Sequence, residues 1–303
     1  MQPLDAAILR TLIYADVFQY AMSPDEIHRY LIHSSLTDIQ SVHERLLKSP
    51  TLQRLLYYSQ GYVTLAEHQH YIALRLSRVA HSERLWSQAL RYGRWMAIIP
   101  FVRMVSLTGS LAVRNCYDDQ DDIDYLLVTE PGRVWIARAL AIVIVRIARL
   151  RGIHLCPNYI TSSNRMRQSR HDLYIAHEIT QMIPLFGYDL YQSLYVLNEW
   201  ATDFLPNAKP HAPEYIQQSP ARTKRFIERL LNTRIGDWIE EWEFRRKARR
   251  FKNSVEQPNS DARITSDEVK GHFEDHGHTI LKAYAERLRK YGLSTSVKSS
   301  LSA

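Results

Sequence analysis

Only two cysteines, Cys116 and Cys156, occur in 303 residues. That excludes a disulfide framework and a four-thiolate metal site, and it makes a reducing cytoplasm the expected home. The opening Met-Gln-Pro-Leu-Asp has no basic stretch followed by an apolar run, so secretion is not expected. Long apolar runs are missing too. In the most apolar segment, Val134 to Leu150, Arg138, Arg146 and Arg149 leave only Ala139 to Val145 uncharged. Spanning a bilayer needs about 20 apolar residues, so a helix buried within a domain is expected and no membrane partner. The Walker phosphate loop and the dinucleotide-binding fingerprint are both absent, which leaves ATPase and dehydrogenase readings without support. No internal repeat is evident.

What is present is an ordinary globular composition, 45% hydrophobic and 23% charged, at a length that suits about two domains. Charge is unevenly spread under a formal net of +7. Residues 1–75 hold six Lys/Arg against seven Asp/Glu, residues 131–171 hold eight arginines and no acid, and residues 206–303 hold nineteen basic against thirteen acidic groups. The positive field therefore belongs to the middle and the tail, where it suits polyphosphate, nucleic acid or another acidic partner.

The front reads as three helices and a hairpin. Leu4, Ala7, Ile8, Leu12, Ala15 and Phe18 share one helical face, and Ser23-Pro24-Asp25-Glu26 is a capping box that starts a second helix. Ile39, Val42 and Leu46 mark a third, stopped before Pro50. Leu55 to Ser59 and Tyr62 to Leu65 then flank Gln60-Gly61, a turn able to supply positive φ. This order resembles a winged-helix domain, over residues 1–75. The third helix sets Asp38 and Glu44 beside Arg45 and Lys48, so phosphate attraction is weak and a protein-contact role is favoured over DNA reading.

Residues 77–100 read as a helix ending at Pro100. Short apolar strands follow at Val102 to Leu107, Ile123 to Thr129 and Ile153 to Thr161, with the arginine-flanked helix between the last two. Beyond Asp172 the pattern is read as helical through Phe186 and again from Tyr188 to Phe204. The expected fold is α+β, with a mixed-sheet domain over residues 76–205. Pro206, Pro210, Pro213 and Pro220 punctuate a linker. Residues 206–303 read as a helical region holding the basic run Arg245 to Arg250, a mobile loop over 253–268, a last helix from Val269 to Tyr291 and a frayed serine-rich tail.

The chemistry is concentrated in two runs, Leu107-Thr108-Gly109-Ser110-Leu111-Ala112 and Asp121-Asp122-Ile123-Asp124-Tyr125-Leu126. Gly109 and Ser110 close a strand and open a helix, where free amides and a hydroxyl suit phosphate oxygens. With Ile123 facing the core, Asp122 and Asp124 point to one side as two hard oxygen ligands for Mg²⁺.

In these residues the chain resembles the DNA polymerase beta-like nucleotidyltransferases: a hydrophobic strand, Gly-Ser, a spacer of eleven residues here, then Asp-hydrophobic-Asp. The resemblance covers about residues 100–175. It implies transfer of a nucleoside monophosphate from a nucleoside triphosphate, such as ATP, to an acceptor, with pyrophosphate leaving. It also implies Mg²⁺ held by Asp122 and Asp124, and a triphosphate gripped by Gly109 and Ser110 with help from Arg114 and Arg165. The acceptor is left open among a small molecule, a protein and an RNA end.

The family's third carboxylate, from the next strand, has no counterpart in Gly152 to Ile160. Asn158 or His154 stands there instead, and Asp172 and Glu178 are the nearest later acids. Because of that gap a second reading is carried: a nucleotide-sensing or nucleic-acid-binding regulatory protein. Arg167 and Arg170 follow the strand beside Arg165, and His272 and His276 form an i, i+4 pair that reads as surface histidine rather than as a zinc site.

Overall fold

Proline and polar caps set the helices at the front of the chain. The computed structural model describes residues 1–212, 222–255, 263–270 and 276–294. Helix α1 (Pro3–Val17) begins with proline, whose missing amide costs nothing in a first turn. The capping box forms at Ser23, where the hydroxyl accepts from the Glu26 amide and the Glu26 carboxylate accepts from the Ser23 amide, and α2 (Pro24–Arg29) follows. Asp38 caps α3 (Ile39–Lys48). Pro50 ends that helix as expected, but Ser49 caps a further short one, α4 (Pro50–Leu55), because proline that stops one helix is suited to start the next. Strands β1 (Leu56–Ser59) and β2 (Tyr62–Leu65) pair antiparallel around Gln60 and Gly61, both at positive φ. The buried Asp5 takes both Nε and Nη2 of Arg45, at 2.7 and 2.6 Å, and ties α1 to α3.

Helix α5 (Tyr71–Ala97) leads into the sheet domain, whose elements are β3 (Val102–Thr108), α6 (Gly109–Ala112), β4 (Ile123–Thr129), α7 (Val134–Arg149), β5 (Leu155–Ser162), α8 (Leu173–Gln181), β6 (Ile183–Phe186) and α9 (Tyr188–Leu197). The C-terminal region adds α10 (Arg222–Leu231), α11 (Arg234–Val255), β7 (Arg263–Ile264), β8 (Glu268–Lys270) and α12 (His276–Lys290). The six-stranded sheet has the order β6-β3-β4-β5-β8-β7. Among the described strands only β4 and β5 run parallel, joined through α7 as a parallel pair requires, so the sheet is mixed and the fold is α+β.

Three expectations are corrected. Residues 183–186 are a strand, not the end of a helix: α8 stops at Gln181 and Pro184 enters the sheet edge opposite Ser106. The loop over 253–268 is partly helix, through Val255, and partly a hairpin, while 256–262 lie outside the described residues. Val269 sits in β8 rather than in the last helix, so the C-terminal region supplies two strands as well as helices. Pro213, Pro220 and the tail from 295 also fall outside the described residues. Among the described residues, no helix is long and apolar enough to cross a membrane.

Alternation along β4 divides the core. Ile123, Tyr125 and Leu127 join the cluster formed with α5 and α7, whereas Leu126 and Val128 join a second cluster with α8, α9, α12 and α1. That second cluster runs on into Ile8, Leu12 and Ile13, so the front helices and one face of the sheet share a core. Two buried arginines fasten the junction. Arg75 donates to the carbonyls of Val113 and Arg114 and to Glu26 Oε1, at 2.9, 2.6 and 2.8 Å, and lies over the Tyr20 ring. Arg78 donates to the Phe18 carbonyl and to Asn115 Oδ1.

Arg75→Met keeps the stem but strands a carboxylate and two carbonyls, and is expected to cost about 3 kcal/mol. The measurement is the urea unfolding midpoint, and a loss below about 1 kcal/mol would show that the clamp is not a structural necessity.

Candidate functional site

The end of β3 turns sharply at Gly109, whose φ is +67°. Thr108 lies opposite Asp124 across the antiparallel β3–β4 pair, and Asp124 lies beside Cys156 across the parallel β4–β5 pair. This register sets the Asp124 side chain directly against the Gly109 Cα. A Cβ at position 109 would overlap Asp124 Oδ2, so glycine is required there both for its backbone angle and for its missing side chain. Asn158, two residues along β5 from Cys156, donates Nδ2 to Asp124 Oδ1 at 3.4 Å.

The opposite wall comes from α8. Asp172 caps this helix by accepting from the Ile175 amide, and it also pairs with Arg170, so it is committed to local structure. Glu178, two turns on, reaches the cavity instead. That cavity, of about 220 Å³, is lined by Thr108, Gly109, Asp124, Asn158, Glu178 and Lys270, with Tyr159 and Tyr174 among its walls. A neighbouring cavity of about 240 Å³ shares Gly109, Tyr174 and Glu178 and reaches Tyr14 on α1.

The electrostatics are those of crowded acid. Burial pushes the Asp124 carboxyl up to about 7; the negative charges of Glu178, Asp122 and Asp121 add to the rise, and a hydrogen bond from Cys156 opposes it. Burial also raises Glu178, against the pull of Lys270. Burial, with Asp124 and Asp122 beside it, pushes the Cys156 thiol up to about 12, so it is no nucleophile. His177, behind Glu178, is driven down to about 3 by burial and stays neutral.

The residues expected from the sequence are not all gathered here. Gly109, Asp124 and Asn158 line the cavity, but Asp122 does not: it precedes β4, its side chain is 63% exposed, and its Oδ1 lies 4.0 Å from His154 Nδ1. The Ser110 hydroxyl donates to Asp121 Oδ2 at 3.0 Å, an oxygen that also accepts from the Tyr117 amide. The Arg114 guanidinium stacks on Trp86, 3.7 Å from the ring centroid, and Arg165 is exposed; neither lines the cavity. His276 does, while its expected companion His272 lies outside the described residues. Among the described residues, no three His, Cys, Asp or Glu side chains form a metal-holding group. Lys270 was missed because 269–291 reads as one helix; the polar-apolar-polar alternation of Glu268-Val269-Lys270 was the available signal.

No protein-family model, curated protein or solved structure matches this chain.

Two outcomes test this geometry. Gly109→Ala is expected to lose on the order of 2 kcal/mol, read as a lower melting temperature, since the change is strained in backbone and in space. The second concerns pH. The folded pKa of Asp124, about 7, stands above its ordinary 3.8, so the folded state holds the proton more tightly. The resulting stability is fully present below about pH 4 and is lost as the pH rises through 7. Asp124→Asn should therefore melt a few degrees above the parent at pH 8, on the order of 1 to 2 kcal/mol, with the gap closing toward pH 4. Parallel pH profiles for the two proteins would refute the half-buried, crowded carboxylate.

Proposed function

We propose that this protein is a Mg²⁺-dependent nucleotidyltransferase of the DNA polymerase beta-like kind, with a winged-helix-like module at its front. It would move a nucleoside monophosphate from a nucleoside triphosphate to an acceptor hydroxyl, releasing pyrophosphate. The observation that carries the reading is the approach of the Asp124 carboxylate to a glycine that opens a helix, inside a cavity that also holds Glu178, Asn158 and Lys270.

The donor set fits a hard divalent ion. Asp124 and Glu178 are carboxylates whose protons are held by crowding and burial, a condition that an ion of charge two relieves, and Mg²⁺ ordinarily takes one or two carboxylates together with substrate phosphates. When bound, the ion would supply charge neutralisation at the phosphates. Asp124 would hold it, joined by Asn158 through its amide oxygen, while Asp122 stands exposed outside the cavity. Lys270 faces the same space and suits a polyanionic tail. In the transfer, the acceptor oxygen bonds to the α-phosphorus and the bond from that phosphorus to the bridging oxygen breaks. The acceptor's proton would pass to a carboxylate, a part we assign to Glu178, which lines the same cavity and whose pKa burial raises. Glu178 thus takes the part of the third carboxylate that β5 does not supply.

The second reading, a nucleotide-sensing or nucleic-acid-binding regulator, draws on the Ser110 hydroxyl already engaged by Asp121 and on Arg114 and Arg165 standing outside the cavity. Incubation with each of the four nucleoside triphosphates, Mg²⁺ and pooled acceptors separates the two. Pyrophosphate release is expected, falling about 100-fold or more in Asp124→Asn and Glu178→Gln but little in Arg114→Ala. Triphosphate binding without release favours the regulator, and neither binding nor release overturns both.

A further inference from the structure

Helices α10 and α11 are built inside out. Beside the inward Phe244, several of their inward residues are charged. Lys224 Nζ donates to the carbonyls of Ala97 and Val102 at 2.8 and 2.6 Å, and Glu228 Oε1 accepts from the Phe101 amide and from Arg103 Nη1, each at 2.7 Å. Glu240 accepts from the Trp135 and Ile136 amides at 2.7 and 2.8 Å. Those amides open α7, which has no side-chain cap of its own, so α11 supplies its capping carboxylate.

The outward residues are apolar. Phe226, Ile227 and Leu230 on α10 are 62, 41 and 59% exposed, and Ile235, Trp238 and Trp242 on α11 are 70, 65 and 51% exposed. The last three follow helical spacing, and the two indoles stack with centroids 6.4 Å apart. Arginine accompanies them. Arg222, Arg225, Arg229 and Arg234 are exposed along the same pair of helices, and Arg245, Arg246, Arg249 and Arg250 are exposed at the far end. Residues 222–250 hold ten Lys/Arg against five Asp/Glu, and two of those acids, Glu228 and Glu240, are turned inward.

We propose that this face lies on an anionic lipid bilayer. Tryptophan, phenylalanine and leucine framed by arginine suit the boundary between acyl chains and anionic headgroups. The charge decides among occupants. A second copy docked isologously would bring these arginines against their own counterparts. A nucleic acid would use the arginines and the indoles but would leave Ile227, Leu230 and Ile235 with nothing to stack on. The interrupted apolar run of α7 excludes spanning, which is a separate demand from lying on a surface. Moreover, α11 packs on α7 through Phe244 and Trp135, on the face of the sheet opposite Asp124, so a surface-bound protein keeps its cavity clear of the lipid.

The test is co-sedimentation of the full chain with phosphatidylcholine vesicles, with and without phosphatidylglycerol, following tryptophan emission. Binding to the anionic vesicles with a blue shift is expected, weakening as salt is raised from about 0.1 to 0.5 M. The double variant Trp238→Ala/Trp242→Ala, whose exposed positions leave the inner contacts intact, should bind roughly tenfold more weakly or less. Arg234→Gln/Arg249→Gln should lose a similar factor on anionic vesicles only. Equal binding to both vesicle types, or no binding by a folded parent, overturns the proposal. So does a dimer in solution that the tryptophan variant dissolves, or salt-sensitive oligonucleotide binding without vesicle binding.

Discussion

A carboxylate can pack against the turn at the end of a strand only if something makes room for it, and here the room is a missing Cβ. The contact between Asp124 and Gly109 fixes how the end of β3 meets the start of β4, and the pairing of Thr108 with Asp124 leaves no freedom to slide. A slip of one residue would carry Asp124 to the face occupied by Ile123 and Tyr125, inside an apolar cluster with α5 and α7. Strand register and the shape of the cavity therefore rest on the same interaction. Its cost is the desolvation that pushes Asp124 up to about 7, and that cost is offset by apolar cores on both faces of the sheet.

The turn does not hold itself. Helix α6 is only four residues long, too short for intrinsic helical stability, and the carbonyls just beyond it are taken by Arg75. Arg75 in turn is aimed by Glu26, whose carboxylate also closes the capping box at Ser23 and receives the Tyr20 hydroxyl. A run of bonds thus links the first turn of α2 to the residues that follow Gly109. Although the front helices contribute no residue to the cavity that contains Asp124, they determine where the Gly109 turn on that cavity's wall sits.

This division explains what could be read from the chain alone. Short-range chemistry was legible: the capping box, the Gln60-Gly61 turn, the proline stops and the apolar alternation of β4 each depend on neighbours within a few residues. The pairing of Gly109 with Asp124 was legible as a motif, while its physical reason, the overlap that any side chain would cause, needed the strand register. The two candidate acids after β5 could not be ranked from sequence, since Asp172 is a helix cap and Glu178 a cavity wall only once α8 is placed. Asp122 was placed by extending the alternation one residue beyond where β4 begins. The hairpin that delivers Lys270 is made of strands two and three residues long, whose stability comes from pairing with β5 rather than from any local pattern.

The polarity of α10 and α11 is the clearest conflict between local pattern and observed packing. Amphipathic helices ordinarily turn their apolar face to the core, and Phe226, Leu230, Trp238 and Trp242 would have been read that way. The inward face instead meets backbone groups at the ends of elements: the first amides of α7, the Phe101 amide where φ is +67°, and the carbonyls of Ala97 and Val102. Apolar side chains there would leave these groups unsatisfied, at a cost of about 1 to 3 kcal/mol each. Lysine and glutamate satisfy two apiece, counting the Glu228 bond to Arg103. Satisfying the ends of the sheet domain thus dictates much of the inner face, and Phe226, Leu230, Trp238 and Trp242 are left exposed on the outside.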